Sequence, residues 1–215
     1  MTSPDYRFRF NNYGHPNLTA AFDMSTLTPG GLMKNMTGDS TYDATINGTL
    51  VLANPLIRAK KTKCMDFDGL TNYLSLSNPI NLLTNWTILF WINSVTTGNV
   101  VPFVSSVGIQ IPSSKFRAFN PGVVVETPDK IVTNSTYLWV VTHTASNLKE
   151  YVFGRGRLET SQGGPGAPGS VASALIGEYT GGVLLYSGLI DNMLFYNIAL
   201  TPSQIQSIFR SSVPR

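Results

Sequence analysis

Apolar and polar residues alternate with a period of two along most of this chain, and the period changes once, near the C-terminus. Trp86-Thr87-Ile88-Leu89-Phe90-Trp91-Ile92 is bulky and β-branched throughout, as a long core strand is. Alternation places Trp86, Ile88, Phe90 and Ile92 on one face, toward a core, and Thr87, Leu89 and Trp91 on the other. Gly188 opens a second such strand, in which Met193 and Phe195 face inward and Leu194 outward. By the same parity Asp191 points inward, where backbone hydrogen bonding is its expected role. Beyond Tyr196 the pattern turns helical. Thr201 is placed as N-cap, Pro202 at N1, and Gln204 at N3 completes a capping box, with Leu200 and Ile205 as a hydrophobic staple. Ile205, Ile208 and Phe209 then share one face of a short helix near 202–210, whose apolar side must be buried against the strand before it.

Shorter segments fit the same picture. Tyr6-Arg7-Phe8-Arg9-Phe10 alternates strictly, so residues 1–16 read as an arm with a half-buried strand. That strand either reaches a neighbouring molecule or tucks into its own sheet. Val123-Val124-Val125 reads as a strand covered on both sides, and Trp139 opens a hairpin turning near Ala145-Ser146-Asn147. Gly30-Gly31, Asn47-Gly48, Asn78-Pro79 and Asn120-Pro121-Gly122 punctuate the strands. The Gly/Pro-rich stretch 161–170 reads as a flexible loop within one domain, 17–215. The prediction is an all-β protein, an antiparallel β-sandwich of about a dozen strands with one short C-terminal helix.

Composition agrees with an ordered β domain. Charged residues are 13% of the 215, against about 25% in ordinary soluble domains, and 19 Gly with 13 Pro supply many turns. The net charge is +3, and no stripe of interleaved Arg and aromatics points to nucleic acid. Arg58, Lys60, Lys61 and Lys63 form the one basic cluster, read as a solvated loop or a charge-protected edge. A single cysteine, Cys64, excludes an intrachain disulfide and reads as a buried small hydrophobe. The start, Met-Thr-Ser-Pro-Asp-Tyr-Arg, has no apolar core, so no signal peptide is expected, and no run of 18 apolar residues exists for a membrane span. Five Asn-x-Thr triplets, at Asn17, Asn35, Asn47, Asn85 and Asn134, are therefore discounted as glycosylation sites.

Candidate chemistry is sparse. His15 lies in a polar stretch and His143 in mid-strand, neither with companions at catalytic or metal-ligand spacing, so His143 reads as a packed strand residue. Glu126 and Asp129 flank Pro128 in what reads as a turn, and no strand carries paired carboxylates at glycosidase spacing. No nucleophile triad, phosphate loop or dinucleotide fingerprint is present. The expectation is a chain that is not an enzyme and holds no cofactor.

The closing stretch, with Gly188, Ile190, Asp191, Tyr196, Asn197, Ala199, Leu200, Thr201 and Ile205, resembles the Gly-x-Ile-Asp-x-x-x-Ile-Tyr-Asn-x-Ala-Leu-Thr-x-x-Glu-Ile ending of laminin-G-like jelly-roll domains. These belong to the concanavalin A-like lectin/glucanase superfamily. Phe67-Asp68-Gly69, Tyr73-Leu74-Ser75-Leu76, the Trp86 strand and the Trp139 hairpin resemble its other core blocks, with Phe153 where the family has Asn. The resemblance implies the sandwich fold, a turn at Asp68-Gly69 whose carboxylate caps backbone amides, and calcium at loop carboxylates as an alternative to no cofactor. Asp39, Asp43, Asp66 and Asp68 are the acidic cluster available for calcium. Relatives place small or charged residues where this chain has outward Leu89 and Leu194. Either the helix and loops cover Leu89, Trp91 and Leu194, or these form a protein-contact surface together with Tyr6, Phe8 and Phe10. The second choice leads to a structural module of a large assembly, a minor capsid or surface protein of a virion made in the cytoplasm, with other structural proteins as partners. The alternative is a lectin-like module that binds glycans through aromatics such as Tyr42, Tyr151 and Tyr179. Neither reading involves nucleic acid or membrane insertion.

Overall fold

The structure is a computed structural model. It describes residues 14–212 apart from 29–30, 50, 55, 57–62, 83, 96–99, 105–106, 113–114, 129–130, 155–156, 165–174 and 180–183. Sixteen strands and one α-helix are found among these residues. The strands are β1 (Leu18–Thr28), β2 (Leu32–Asn35), β3 (Ala44–Asn47), β4 (Val51–Ala53), β5 (Cys64–Asp68), β6 (Tyr73–Leu76), β7 (Trp86–Ser94) and β8 (Val100–Val104). They continue with β9 (Gly108–Ile111), β10 (Arg117–Asn120), β11 (Val123–Glu126), β12 (Thr136–His143), β13 (Leu148–Gly154), β14 (Arg157–Gly163), β15 (Leu175–Ile176) and β16 (Ser187–Tyr196). The helix α1 spans Pro202–Ser212.

Every pairing is antiparallel, along the path β11-β10-β9-β8-β15-β6-β3-β2-β1-β16-β7-β12-β13-β14. β5 pairs with the first half of β16 and with β4. The path folds over on itself and nearly closes, because Val123 and Val125 of β11 lie over Gly163 at the end of β14. A nearly closed sandwich leaves few exposed strand edges.

Two apolar layers hold this arrangement. The main core lies inside the sandwich. Trp139 is flanked there by Phe90 and Phe116, at ring distances of 5.7 and 4.3 Å, and Phe195 sits between Phe22 and Phe103 at 6.1 and 5.6 Å. The second layer lies between the outer face of β1, β16, β7, β12 and β13 and the helix, and it buries Leu89, Trp91, Leu138, Val140, Leu194, Leu200, Ile205 and Ile208. α1 forms where the sequence predicts and runs longer, for 11 residues. The Thr201 amide donates to Gln204 Oε1 at 2.7 Å and the Gln204 amide to Thr201 Oγ1 at 3.4 Å, which is the capping box. Phe209 stacks between Trp91 at 5.8 Å and Phe153 at 5.0 Å.

Alternation in β7 is as predicted, with its two faces in the two layers. In β16 it is not. Ile190 pairs with Ile92 and Asp191 with Trp91, but Met193 already pairs with Phe90, so Asn192 is an extra residue in a β-bulge, at φ 41°. The bulge reverses parity across it. Asp191 therefore stands on the face of Trp91, buried toward the helix side, and not on the inward face that it would share with Met193 in a regular strand. Two further boundaries shift. Glu126 is the last residue of β11 and not part of a turn, and Ser161 to Gly163 belong to β14.

Candidate functional site

On the far side of the main core from α1, seven strands expose a continuous outer face. One cross-strand row runs Thr45, Ser75, Leu175, Val104, Gly108, Phe119, Val124, each directly opposite the next. Opposed residues of antiparallel strands project on the same side. The neighbouring row, Leu74, Ile176, Phe103, Ile109, Ala118, Val125, is buried in the core, which places Thr45, Ser75, Leu175, Phe119 and Val124 outward.

Phe119 is half-buried on this face, and its ring edge lies over the Cα of Gly108. A Cβ on Gly108 would stand 2.0 Å from Phe119 Cζ, so only glycine leaves the ring its place. Half-buried Leu175 stands farther along the row on one side, and Val124, 60% exposed, lies next to Phe119 on the other. Two residues along the strands a polar row is aligned, with Arg117 opposite both Gln110 and Glu126. Arg117 donates from Nε and Nη2 to Glu126 Oε2, at 3.0 and 2.7 Å, and Lys115 Nζ bonds Glu126 Oε1 at 3.0 Å. The bonds from Lys115 and Arg117 hold the Glu126 carboxyl below its usual range. Farther along, Asn47 Nδ2 donates to Ser75 Oγ at 3.0 Å. An aromatic ring beside fixed, planar polar groups can take the apolar face of a flat ligand while pairing its hydroxyls.

The residues that the sequence puts forward fall elsewhere. Leu89, Trp91 and Leu194 point outward as predicted but are 0%, 4% and 1% exposed, because α1 lies on them. They form no free contact surface, and the choice between cover and contact falls to cover. Tyr6, Phe8 and Phe10 lie outside the described residues, as do Arg58, Lys60, Lys61, Asp129 and most of the Gly/Pro-rich loop. Of the N-terminal segment, His15 is buried with its ring edge-on to Tyr196 at 5.8 Å. His143 is a packed strand residue, stacked on Trp86 at 5.3 Å with Nδ1 2.7 Å from the Thr84 carbonyl.

Among the acidic residues, Asp43 accepts from Lys34 Nζ at 2.6 Å, and Asp39 accepts from the Thr41 amide at 3.0 Å. Asp68 caps its turn, accepting from the amides of Leu70, Thr71 and Asn72 and from the Thr71 hydroxyl. Burial pushes that carboxyl up, and the four bonds together outweigh it and hold it at about 2. Burial first, and the neighbouring Asp68 charge second, push Asp66 up. Among the described residues no three His, Cys, Asp or Glu side chains are grouped as a metal ion would need. Of the aromatics, Tyr151 is buried in the helix-covered layer, Tyr42 is half-buried against the main core, and Tyr179 is 38% exposed. Phe119 and Arg117 carry no comparable mark in the sequence beyond the alternation Phe116-Arg117-Ala118-Phe119, with the small residue inward and the large one outward.

A nearly closed antiparallel sandwich with one short helix has the architecture of concanavalin A-like domains. Residues 68–206 match the Laminin G 3 family, described as concanavalin A-like lectin/glucanases superfamily. The chain belongs to this family. No curated protein sequence matches it. Among solved structures it is similar to domain 4 of the arabinanase AbnA from Geobacillus stearothermophilus, in complex with arabinotriose, with TM-score 0.59 and 21% identity over 88% of this chain and 96% of that one. It is similar to Trypanosoma rangeli sialidase in complex with sialic acid, with TM-score 0.63 and 13% identity over 90% of this chain and 32% of the sialidase. It is also similar to the binding domain of botulinum neurotoxin DC in complex with SialylT, with TM-score 0.67 and 10% identity over 91% and 52%. The chain thus spans about a third of the sialidase and about half of the neurotoxin fragment.

Proposed function

We propose that this chain is a carbohydrate-binding module that takes saccharides on the outer face of β9, β10 and β11. The carrying observation is Phe119 seated over Gly108 beside the Gln110, Arg117, Glu126 row. The saccharides in the similar structures support the reading: arabinotriose in the complex of AbnA domain 4, and sialic acid in that of the sialidase, of which about a third is matched. Sugar C–H faces would lie on the Phe119 ring, with hydroxyls paired by Arg117, Gln110 and Glu126. The reading is non-catalytic. The row holds one carboxylate, and both its oxygens are engaged by Lys115 and Arg117, whereas glycoside hydrolysis uses two carboxylates flanking the scissile bond. The experiment is a glycan array followed by calorimetry with the wild type and Phe119→Ala. Binding of a glycan that weakens about tenfold or more in Phe119→Ala, with no turnover, is expected. Hydrolysis abolished by Glu126→Gln, or glycan binding indifferent to Phe119→Ala, would overturn the proposal.

A further inference from the structure

Lys115, Arg117 and Glu126 form a cluster with one excess positive charge at the edge of the Phe119 platform. Both cationic side chains are 37% exposed and Glu126 29% exposed, so the charge is presented to solvent. Arg117 uses two of its N–H donors on a single Glu126 oxygen, and a guanidinium has five. The planar fork that remains matches a carboxylate, which it can pair with two parallel bonds.

On the premise that this face binds glycans, we infer that its ligand is an acidic saccharide, with a sugar carboxylate on Arg117 and Lys115 and the neighbouring ring on Phe119. Glu126 has a double role in this arrangement. It holds the two cations in place when the site is empty, and it cancels one of their charges. A cluster with one net positive charge suits a singly charged group. A densely sulfated chain would need several uncompensated cations, and here the row supplies Gln110 as its next member. The ligand carboxylate takes the donors that Glu126 leaves unused, so Glu126 acts on the affinity through its charge.

The test is calorimetry of the full chain with matched pairs: 3′-sialyllactose against lactose, and an oligogalacturonide against its carboxyl-reduced counterpart. At low salt the acidic member of a pair is expected to bind about tenfold tighter or better. The preference should shrink at about 1 M salt, where charges are screened within about 3 Å. Arg117→Gln and Lys115→Gln should each remove most of it, Glu126→Gln should enlarge it, and Phe119→Ala should weaken both members alike. Circular dichroism checks the fold of each variant, and Lys115→Gln, at an exposed position, guards against loss of structure in the others. Equal binding of both members, tighter binding of 3′-sulfolactose than of 3′-sialyllactose, or a preference kept by folded Arg117→Gln and Lys115→Gln would each overturn the inference while the glycan reading stands. If no saccharide of either kind binds, the glycan reading falls and takes the inference with it.

Discussion

Two threonines show how much a hydroxyl contributes in this fold and why its position matters. Thr87 is fully buried, and its Oγ1 donates to the Ile198 carbonyl and accepts from the Leu200 amide, both at 2.9 Å. These bonds fasten the segment entering α1 to β7. Thr201, at the surface, caps the first turn. Thr87→Val keeps the shape but strands a buried amide and a part-buried carbonyl, so a loss of about 1–3 kcal/mol is expected in chemical denaturation. Thr201→Ala leaves groups that water can satisfy and should cost about 0.5–2 kcal/mol. An equal or reversed order would mean that Thr87 is not what anchors the helix. Asp68 gives a pH signature. Its folded-state pKa, about 2, lies below the unfolded value of about 3.9. Its contribution is therefore present above pH ~4 and lost as pH falls toward ~2. Asp68→Asn should flatten the fall of stability across that window in urea melts at graded pH. Asp66 is shifted upward, so its sign is opposite, and Asp66→Asn should stabilise the protein at neutral pH.

At the scale of elements, β16 and α1 work as a pair. β16 lies between β7 on one side and β1 with β5 on the other, and the bulge at Asn192 lets it serve both. The extra residue turns Asp191 to the Trp91 face while keeping Ile190 and Met193 in the core. Asn tolerates the left-handed backbone that the bulge needs, and a β-branched residue does not. Asn192→Val should cost about 1–3 kcal/mol and Asn192→Gly much less, measured by thermal melting. Similar losses for the two would show that side-chain contacts of Asn192, and not its backbone, matter most.

At the scale of the molecule, the two outer faces of the sandwich have different fates. One is closed by α1 over Leu89, Trp91, Leu138 and Leu194, and the other stays open with Phe119 and the Arg117 row. Removing 202–215 would uncover the whole second apolar layer, a patch of the kind that monomeric proteins rarely expose. The truncated chain is expected to associate or precipitate in size-exclusion chromatography, where the full chain does not. A soluble truncated monomer would mean that this layer is shielded by something other than the helix. None of the described helices is long and apolar enough to cross a membrane.

What the sequence determined by itself is what short range can encode. The two faces of β7, the capping box, the helix face and the turn at Asp68 each depend on residues within a few positions of one another, where side-chain periodicity and hydrogen-bonding reach decide the outcome. The family resemblance in the closing stretch rests on the same local blocks. Tertiary structure decided the rest, since it depends on pairing between distant segments. Leu200 meets Thr87 across 113 positions, and that contact places α1 over Leu89 and Leu194 and turns an apparent contact surface into a second core. Val124 is 60% exposed on β11, the end strand of the path, although a run of three valines reads as covered on both faces. Parity across Asn192 fails because one inserted residue reverses a period of two, and only the register with β7 reveals the insertion. The candidate saccharide face was illegible for the same reason. Gly108 and Phe119 carry no signal separately, and strand pairing is what lays the ring on the glycine beside Arg117.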